Sequence, residues 1–249
     1  MTDIRFDFNQ VFDQDYLYFY ETFLTPERNR EQAALIIKLL GIEPDMAVLD
    51  LACGHGRIAN ELAQHGCRVT GLDASEIFLE QARSQAEAMG VEVTYHLGDM
   101  RDLPWTNHFD HIINWFTAYG YFDDMGNRRV LTEAYRALKP GGQLLIDHQN
   151  RDRLLANFRP QSVVEHPEEP GNFMIENVQY DVVTGRTETE RTIIRNGNIR
   201  NMHYSVRLFT FPEISDWLHQ AGFATVEGYS NDGTTFTLES RHMIVVATK

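Results

Sequence analysis

Residues 47–56, AVLDLACGHG, constrain the fold more than any other stretch of the chain. An apolar run holding one acid, Asp50, reads as a short buried strand. A glycine-bearing turn follows, and a helical pattern opens at Arg57. Strand, tight turn and helix in that order build a ligand crevice at the carboxyl end of a strand in α/β proteins. Gly54 and Gly56 permit backbone angles that a side chain would forbid. They also let the main chain come close to a ligand. The first turn of the next helix offers free N–H groups to polar ligand atoms.

Two ligand classes suit such a turn. Residues 54–59 fit G-x-G-x-x-G/A, and Asp73 stands near the ~20-residue offset of a ribose-binding acid. That pattern alone indicates a dinucleotide and an NAD(P)-dependent oxidoreductase. Asp50 argues otherwise, because a carboxylate at the strand end repels a pyrophosphate and attracts a ligand with an ammonium and a sulfonium group. Gly54 also comes four residues after Asp50, late for a dinucleotide turn. The run Asp50-Leu51-Ala52-Cys53-Gly54-His55-Gly56 resembles the first motif of the class I S-adenosylmethionine (SAM)-dependent methyltransferases. In those proteins an apolar strand ends in Asp or Glu and a G-x-G turn follows. The match departs at Ala52, where Gly is commoner.

The resemblance extends along the chain. Residues 67–72 read as a second strand ending at Asp73, whose carboxylate can accept both ribose hydroxyls, with Ala74 beside it. Residues 91–97 read as a third strand followed by Gly98-Asp99-Met100. By resemblance, Asp99 accepts from the adenine amino group and Met100 meets the ring. Residues 110–114 form a fourth strand; Asn114 and Trp115 then stand where the family's methyl-facing motif stands, without the Asn-Pro-Pro-Tyr of many nucleobase methyltransferases. Tyr119 and Tyr121 are expected as substrate-pocket walls. Lys139-Pro140-Gly141-Gly142 before an apolar strand over 143–147 is a further family feature. His148, just past that strand's end, is the best-placed general base. The resemblance implies an α/β fold: a doubly wound, mostly parallel seven-stranded sheet with helices on both faces.

Outside this frame, residues 11–24 carry Phe12, Tyr16, Phe19 or Tyr20 and Phe23 at helical spacing. A core helix explains them, and so does a lid whose ring faces attract a sulfonium or an amine. Tyr16 and Tyr20 are the preferred lid residues; Tyr20 is expected at the cofactor and Tyr16 as an alternative base. Residues 150–207 do not continue the sheet. Residues 160–170 read as a polar loop, and three alternating segments over 173–183, 186–195 and 199–208 read as an inserted antiparallel sheet with a hairpin at Asn196-Gly197. It is expected to cover the substrate or to pair with a second subunit. Arg191, Arg195, Arg200 and Arg207 can hold an anion, or pair on the solvent face with Glu188 and Glu190. The expected regions are a helical lid over 1–45, a SAM-binding domain over 46–149 and 208–249, and the insert over 150–207.

Composition narrows the partners. A formal net charge of -14 over 249 residues repels nucleic acid and anionic membranes at long range. The two cysteines, Cys53 and Cys67, have no metal spacing, and no metal is expected. Residues 1–10 are too polar for a secretory leader, so the expected location is cytoplasmic. The reading that unites these features is methyl transfer from SAM to N or O of a small molecule. A SAM-binding regulatory protein without turnover is a further alternative.

Overall fold

The computed structural model describes residues 8–249; residues 1–7, which begin the expected lid region and most of the stretch read as no leader, lie outside the described residues. The described chain opens with two short helices, α1 (Phe8–Val11) and α2 (Gln14–Tyr20), and then a longer one, α3 (Pro26–Leu40). The aromatic stretch is broken at Phe12-Asp13. Asp13 turns its carboxylate back onto α2 and accepts from the N–H groups of Asp15 and Tyr16, each at 3.0 Å. Thr25 caps α3 in the same way, and Gly41 closes it in the left-handed region.

Strand and helix then alternate through β1 (Ala47–Leu51), α4 (Arg57–Gln64), β2 (Arg68–Asp73), α5 (Glu76–Met89), β3 (Val93–Leu97), β4 (Phe109–Asn114), α6 (Asp124–Ala137) and β5 (Leu138–Gln149). These five strands pair in parallel. Every residue of β1 is buried, as expected of a strand covered on both faces. Val48, Leu62, Ile113 and Leu145 fill one side of the sheet with Ile36 of α3. Leu49, Leu51, Ile112 and Leu144 fill the other with Leu131 of α6. The fifth strand is longer than the sequence predicts and ends at Gln149, two residues beyond Asp147.

After β5 the chain turns through α7 (Arg151–Ala156) into a second, antiparallel sheet: β6 (Gln161–Glu165), β7 (Phe173–Asp181), β8 (Arg186–Arg195) and β9 (Asn198–Arg207), adjacent in that order. The sequence predicts three strands here. The fourth, β6, lies within the stretch read as a polar loop. It is an edge strand with mostly exposed side chains, so it carries no apolar alternation to betray it. α8 (Phe211–Ala221), opened by a Thr210–Glu213 capping box, leads back to β10 (Thr225–Tyr229) and β11 (His242–Thr248).

The central sheet has the order β10-β11-β5-β4-β1-β2-β3, with β11 antiparallel to both neighbours. The seven-stranded, doubly wound sheet predicted from the sequence is therefore present. Its strand order reverses at β1, between β4 and β2, which places a crevice at the carboxyl end of β1. Among the described residues no helix is long and apolar enough to cross a membrane.

Candidate active site

The turn after β1 forms the floor of the crevice. The N–H groups of Ala52 and Cys53 both donate to the carbonyl of Leu72, at 2.8 and 3.0 Å, which fastens the turn to the end of β2. Ala52 sits at φ 64°, a conformation that costs an alanine roughly 1–2 kcal/mol and a glycine nothing. Gly54 (φ 55°) leaves open space where a side chain would stand: a Cβ there meets nothing nearer than Phe78, at 3.8 Å. Gly56 plays a different part from the one expected. A Cβ there would lie 2.3 Å from the Tyr95 hydroxyl and 2.8 Å from Cβ of Ala82, so this glycine lets α4 pack against β3 and α5 and does not line the cavity.

Asp50, Asp73 and Asp99 all open onto one cavity of about 850 Å³. Asp50 is 2% exposed at the bottom of the crevice. Burial pushes its pKa up to about 7; the charge of Arg57 opposes that rise and the charge of Asp73 adds to it. Asp73 accepts from the Gly54 N–H at 2.8 Å and the Ser75 N–H at 2.9 Å, so both carboxylate oxygens are fixed in place. Burial raises its pKa too, and those N–H groups work against the rise. Asp99 differs. Burial acts to raise its pKa, but the hydrogen bonds and charge of Arg101 prevail and hold it below the usual carboxylate value. Arg101 clasps it through Nε and Nη2, and the Arg101 N–H also donates to it. A ligand amino group at Asp99 would have to share that carboxylate with a guanidinium lying 4.0 Å over the Phe122 ring.

Ala52, Ala74 and Met100 also line the cavity. Asn114 does not. It is buried under the turn, where its Nδ2 donates to the Leu51 carbonyl at 2.9 Å, so it supports β1 from below.

α2 closes the crevice from above. Tyr16 and Tyr20 stack with ring centroids 4.2 Å apart, and Tyr16 packs on Phe12 and Phe78. Both tyrosines reach the cavity, as do Trp115 and Tyr121. Burial raises the pKa of Tyr16, Tyr20 and Tyr121 above that of a free phenol, which keeps them protonated at neutral pH. Tyr119 is not a pocket wall: it is core, 1% exposed, and its hydroxyl donates to the Asn127 carbonyl.

His148 is likewise absent from the cavity wall. It is fully buried, with Nδ1 3.1 Å from the Gln149 carbonyl and Nε2 3.1 Å from the Arg207 carbonyl. Burial lowers its pKa. Because β5 continues to Gln149, His148 lies inside the strand and points to the face opposite its neighbours. Asp147 accepts from the Phe116 N–H, and Gln149 reaches the cavity.

Glu176 of β7 and Tyr204 of β9 went unread in the sequence; with Arg191 of β8 they form one cluster on the inner face of the antiparallel sheet. Arg191 Nη2 bonds Glu176 at 2.7 Å and the Tyr204 hydroxyl at 2.9 Å, and Tyr204 donates to Glu176 at 2.8 Å. Arg191 thus does not pair with Glu188 or Glu190. The signal was available: in Thr187-Glu188-Thr189-Glu190-Arg191 the period of two places Arg191 with the threonines and away from both glutamates. The other arginines also find partners elsewhere, Arg195 with Asp15, Arg200 with Asp13 and Asp15, and Arg207 with Glu213. Arg57 of α4, also missed, lines the cavity beside the Gly54–Gly56 turn. Among the described residues no group of His, Cys, Asp or Glu is arranged to hold a metal.

Comparison with known proteins follows this geometry. Residues 48–142 match a family model described as a methyltransferase domain. The CcbJ methyltransferase from Streptomyces caelestis superposes with a TM-score of 0.80, covering 97% of this chain and 98% of its own at 22% identity. Over residues 48–142 the chain resembles methyltransferase domains. Its fold is also similar to that of CalS10, an amino pentose methyltransferase from Micromonospora echinaspora solved with SAM bound (TM-score 0.65, 22% identity, 89% of this chain and 90% of that one). At these identities the likeness is one of fold. In sequence, a ubiquinone biosynthesis O-methyltransferase of Coxiella burnetii is 31% identical over 105 residues, which are 42% of this chain and 44% of the relative. The chain spans less than half the length of the curated relatives it matches.

The residues present in the methyltransferase domain fit SAM. Asp50, a buried carboxylate with no ion-pair partner among the described residues, suits a cationic ligand, and Asp73 is already oriented by two N–H groups. The open space beside Gly54 leaves room for ligand atoms against the main chain.

Proposed function

We propose that the protein transfers a methyl group from SAM to a nitrogen of a small-molecule acceptor. When bound, the cofactor supplies a methyl on a cationic sulfur, which passes to the acceptor lone pair as the thioether S-adenosylhomocysteine departs. Asp50 would hold the ammonium end and Asp73 the ribose, with Ala74, Asp99 and Met100 around the base. A cavity of about 850 Å³ sits near the upper end of the ~300–1,000 Å³ usual for small-molecule sites, enough for two ligands side by side. The antiparallel sheet adds Glu176, Arg191 and Tyr204 to the wall.

The two bases expected from the sequence are both unsuited to take a proton, which supports nitrogen over oxygen, although His242, paired with Asp147, also lines the cavity. Both ring nitrogens of His148 face carbonyls outside the cavity, and the cavity tyrosines are held protonated by burial. An alcohol or phenol acceptor needs a base to take its proton as the bond forms. A neutral amine attacks with its own lone pair and loses a proton afterwards to water. Alignment and exclusion of water by Tyr16, Tyr20 and Tyr121 are then the main catalytic contributions. Tyrosine faces also attract the positive charge that the amine gains. The amino pentose methyltransferase among the structural neighbours agrees with this class of acceptor.

The test is transfer of labelled methyl from SAM to a panel of amino sugars and small amines beside matched alcohols and phenols. Labelled amine products are expected. Transfer confined to hydroxyls would refute the nitrogen assignment, and tight binding of NADH with no binding of SAM would refute the reading altogether.

A further inference from the structure

His242 and Asp147 form a pair to which the proposed function gives no task. Asp147 is buried near the end of β5, and His242 opens β11, the strand beside it. His242 Nδ1 lies 2.8 Å from Asp147 Oδ1. The other carboxylate oxygen of Asp147 accepts from the Phe116 N–H at 3.0 Å, and its main-chain carbonyl accepts from the Thr117 N–H at 3.1 Å. An ionised carboxylate only accepts, so it places the proton of the neutral imidazole on Nδ1. The lone pair is then on Nε2, which has no hydrogen-bond partner among the described residues. The His242 side chain is 25% exposed and lines the cavity, whereas Asp147 does not, so the ring is the part of the pair that a ligand can reach. The turn that Asp147 holds is strained. Phe116 and Thr117 are consecutive and both lie in the left-handed region, at φ 64° and 58°. A bulky and a β-branched residue enter that region only where their surroundings impose it, and such strain gathers at working sites. Both residues line the same cavity as His242.

An amine of ordinary basicity arrives at neutral pH as an ammonium ion, which has no lone pair to give. We propose that His242 is the base that frees it, taking a proton from the acceptor through Nε2. One N–H bond of the ammonium breaks, its electron pair stays on the amine nitrogen, and the proton joins the ring of His242. The neutral amine is then the nucleophile of the methyl transfer. The imidazolium returns its proton to solvent through the exposed part of the ring. Asp147 is a positioning residue: it fixes the tautomer and offsets the positive charge that the ring gains. By holding the Phe116–Thr117 turn with the same carboxyl group and with its carbonyl, it also ties the base to the cavity wall at the end of β4.

The inference rests on the methyl-transfer reading, and its test separates the two. The acceptor used is the best-labelled member of the amine and alcohol panel, and a thermal melt first checks that each variant folds. His242→Ala is expected to lower kcat about 100-fold, with the acceptor KM and the calorimetric affinity for S-adenosylhomocysteine held within about threefold. Added imidazole should raise that rate about tenfold. His242→Gln, which fills the space, should lose as much and gain nothing from imidazole. Asp147→Asn should lose about tenfold, since its amide can donate to Nδ1 and move the ring proton to Nε2. A folded His242→Ala with kcat within about threefold of the unaltered protein, or with a loss that imidazole leaves unchanged, would overturn the inference. Nitrogen NMR of the unaltered protein needs no variant to fold: a neutral His242 with its proton on Nε2 would overturn it as well. Transfer to hydroxyls alone, lost in His242→Ala, would keep the base and refute the nitrogen assignment. No transfer to any acceptor would sink the methyl-transfer reading, and the inference with it.

Discussion

Asp50 is where function and stability pull apart. Its pKa is about 7 in the fold against an ordinary value of 3.8, so the folded state keeps the proton where the unfolded state has released it. Stability is therefore undiminished below about pH 4, falls as pH rises, and levels off above about pH 7. Asp50→Asn removes that penalty. At about pH 8 the ligand-free variant is expected to be more stable by about 2 kcal/mol, or roughly 4–8 °C in Tm, and at about pH 4 the two proteins should melt together. SAM binding should show the reverse: affinity of the native protein falls about tenfold per pH unit below about pH 7, while the Asn variant binds weakly and without that slope. Thermal melts at the two pH values and a calorimetric pH series check both halves. The position of Asp50 at the cavity was legible because a strand, an acid and a G-x-G turn are contiguous in the chain. The position of His148 was not, because a strand's last residue decides which face each side chain takes. An end at Asp147 frees His148, and an end at Gln149 buries it.

α2 shows how an element can be misplaced when its pattern is read correctly. Its aromatics do repeat at helical spacing, but they serve two neighbours. Tyr16 and Tyr20 face the cavity, whereas Phe19 packs among Met174, Ile193 and Met202 of the antiparallel sheet. Tyr18 stacks on His166 and accepts from Asn172 Nδ2 at 2.7 Å, and Arg195 covers its ring. Partners some 150 residues away are invisible to a local pattern. Asp13 holds this element at its start, through the helix cap and through Arg200. Asp13→Ala is expected to remove about 1 kcal/mol of local stability and to speed amide exchange over residues 14–20 about fivefold, leaving β7 and β8 as protected as before. Unchanged exchange in α2 would show that packing alone holds it.

Across the whole molecule, the two sheets are joined by a few buried polar links. Arg186, 4% exposed at the start of β8, donates to the carbonyls of Phe122 and Gly120 and to the hydroxyl of Ser205. His148 meets the carbonyl of Arg207, the residue paired with Arg186 across β8 and β9. Arg186→Met would remove the charged donor from these groups while Asn127 Nδ2 and the Arg207 N–H still serve the two carbonyls, and is expected to cost about 2 kcal/mol, roughly 4–8 °C in Tm. A scanning melt checks it; a change under about 2 °C would mean that apolar packing carries the junction. The central sheet was readable in order because its parallel strands and covering helices each bear their own pattern. The second sheet was readable as strands that cover the substrate or pair with a second subunit, but which of its residues line the cavity was not, since its register, with Glu176 opposite Arg191, is set by tertiary pairing.

The bonds between α2 and the antiparallel sheet have a kinetic consequence. Asp13 and Asp15 grip Arg195 and Arg200, so the helix above one ligand and the strands above the other form a single jaw. Neither ligand can then be uncovered without loosening what covers its neighbour, and turnover would proceed by closing on both and opening on both. Because that jaw is fastened by partly exposed ion pairs, raising the ionic strength of the medium would loosen it.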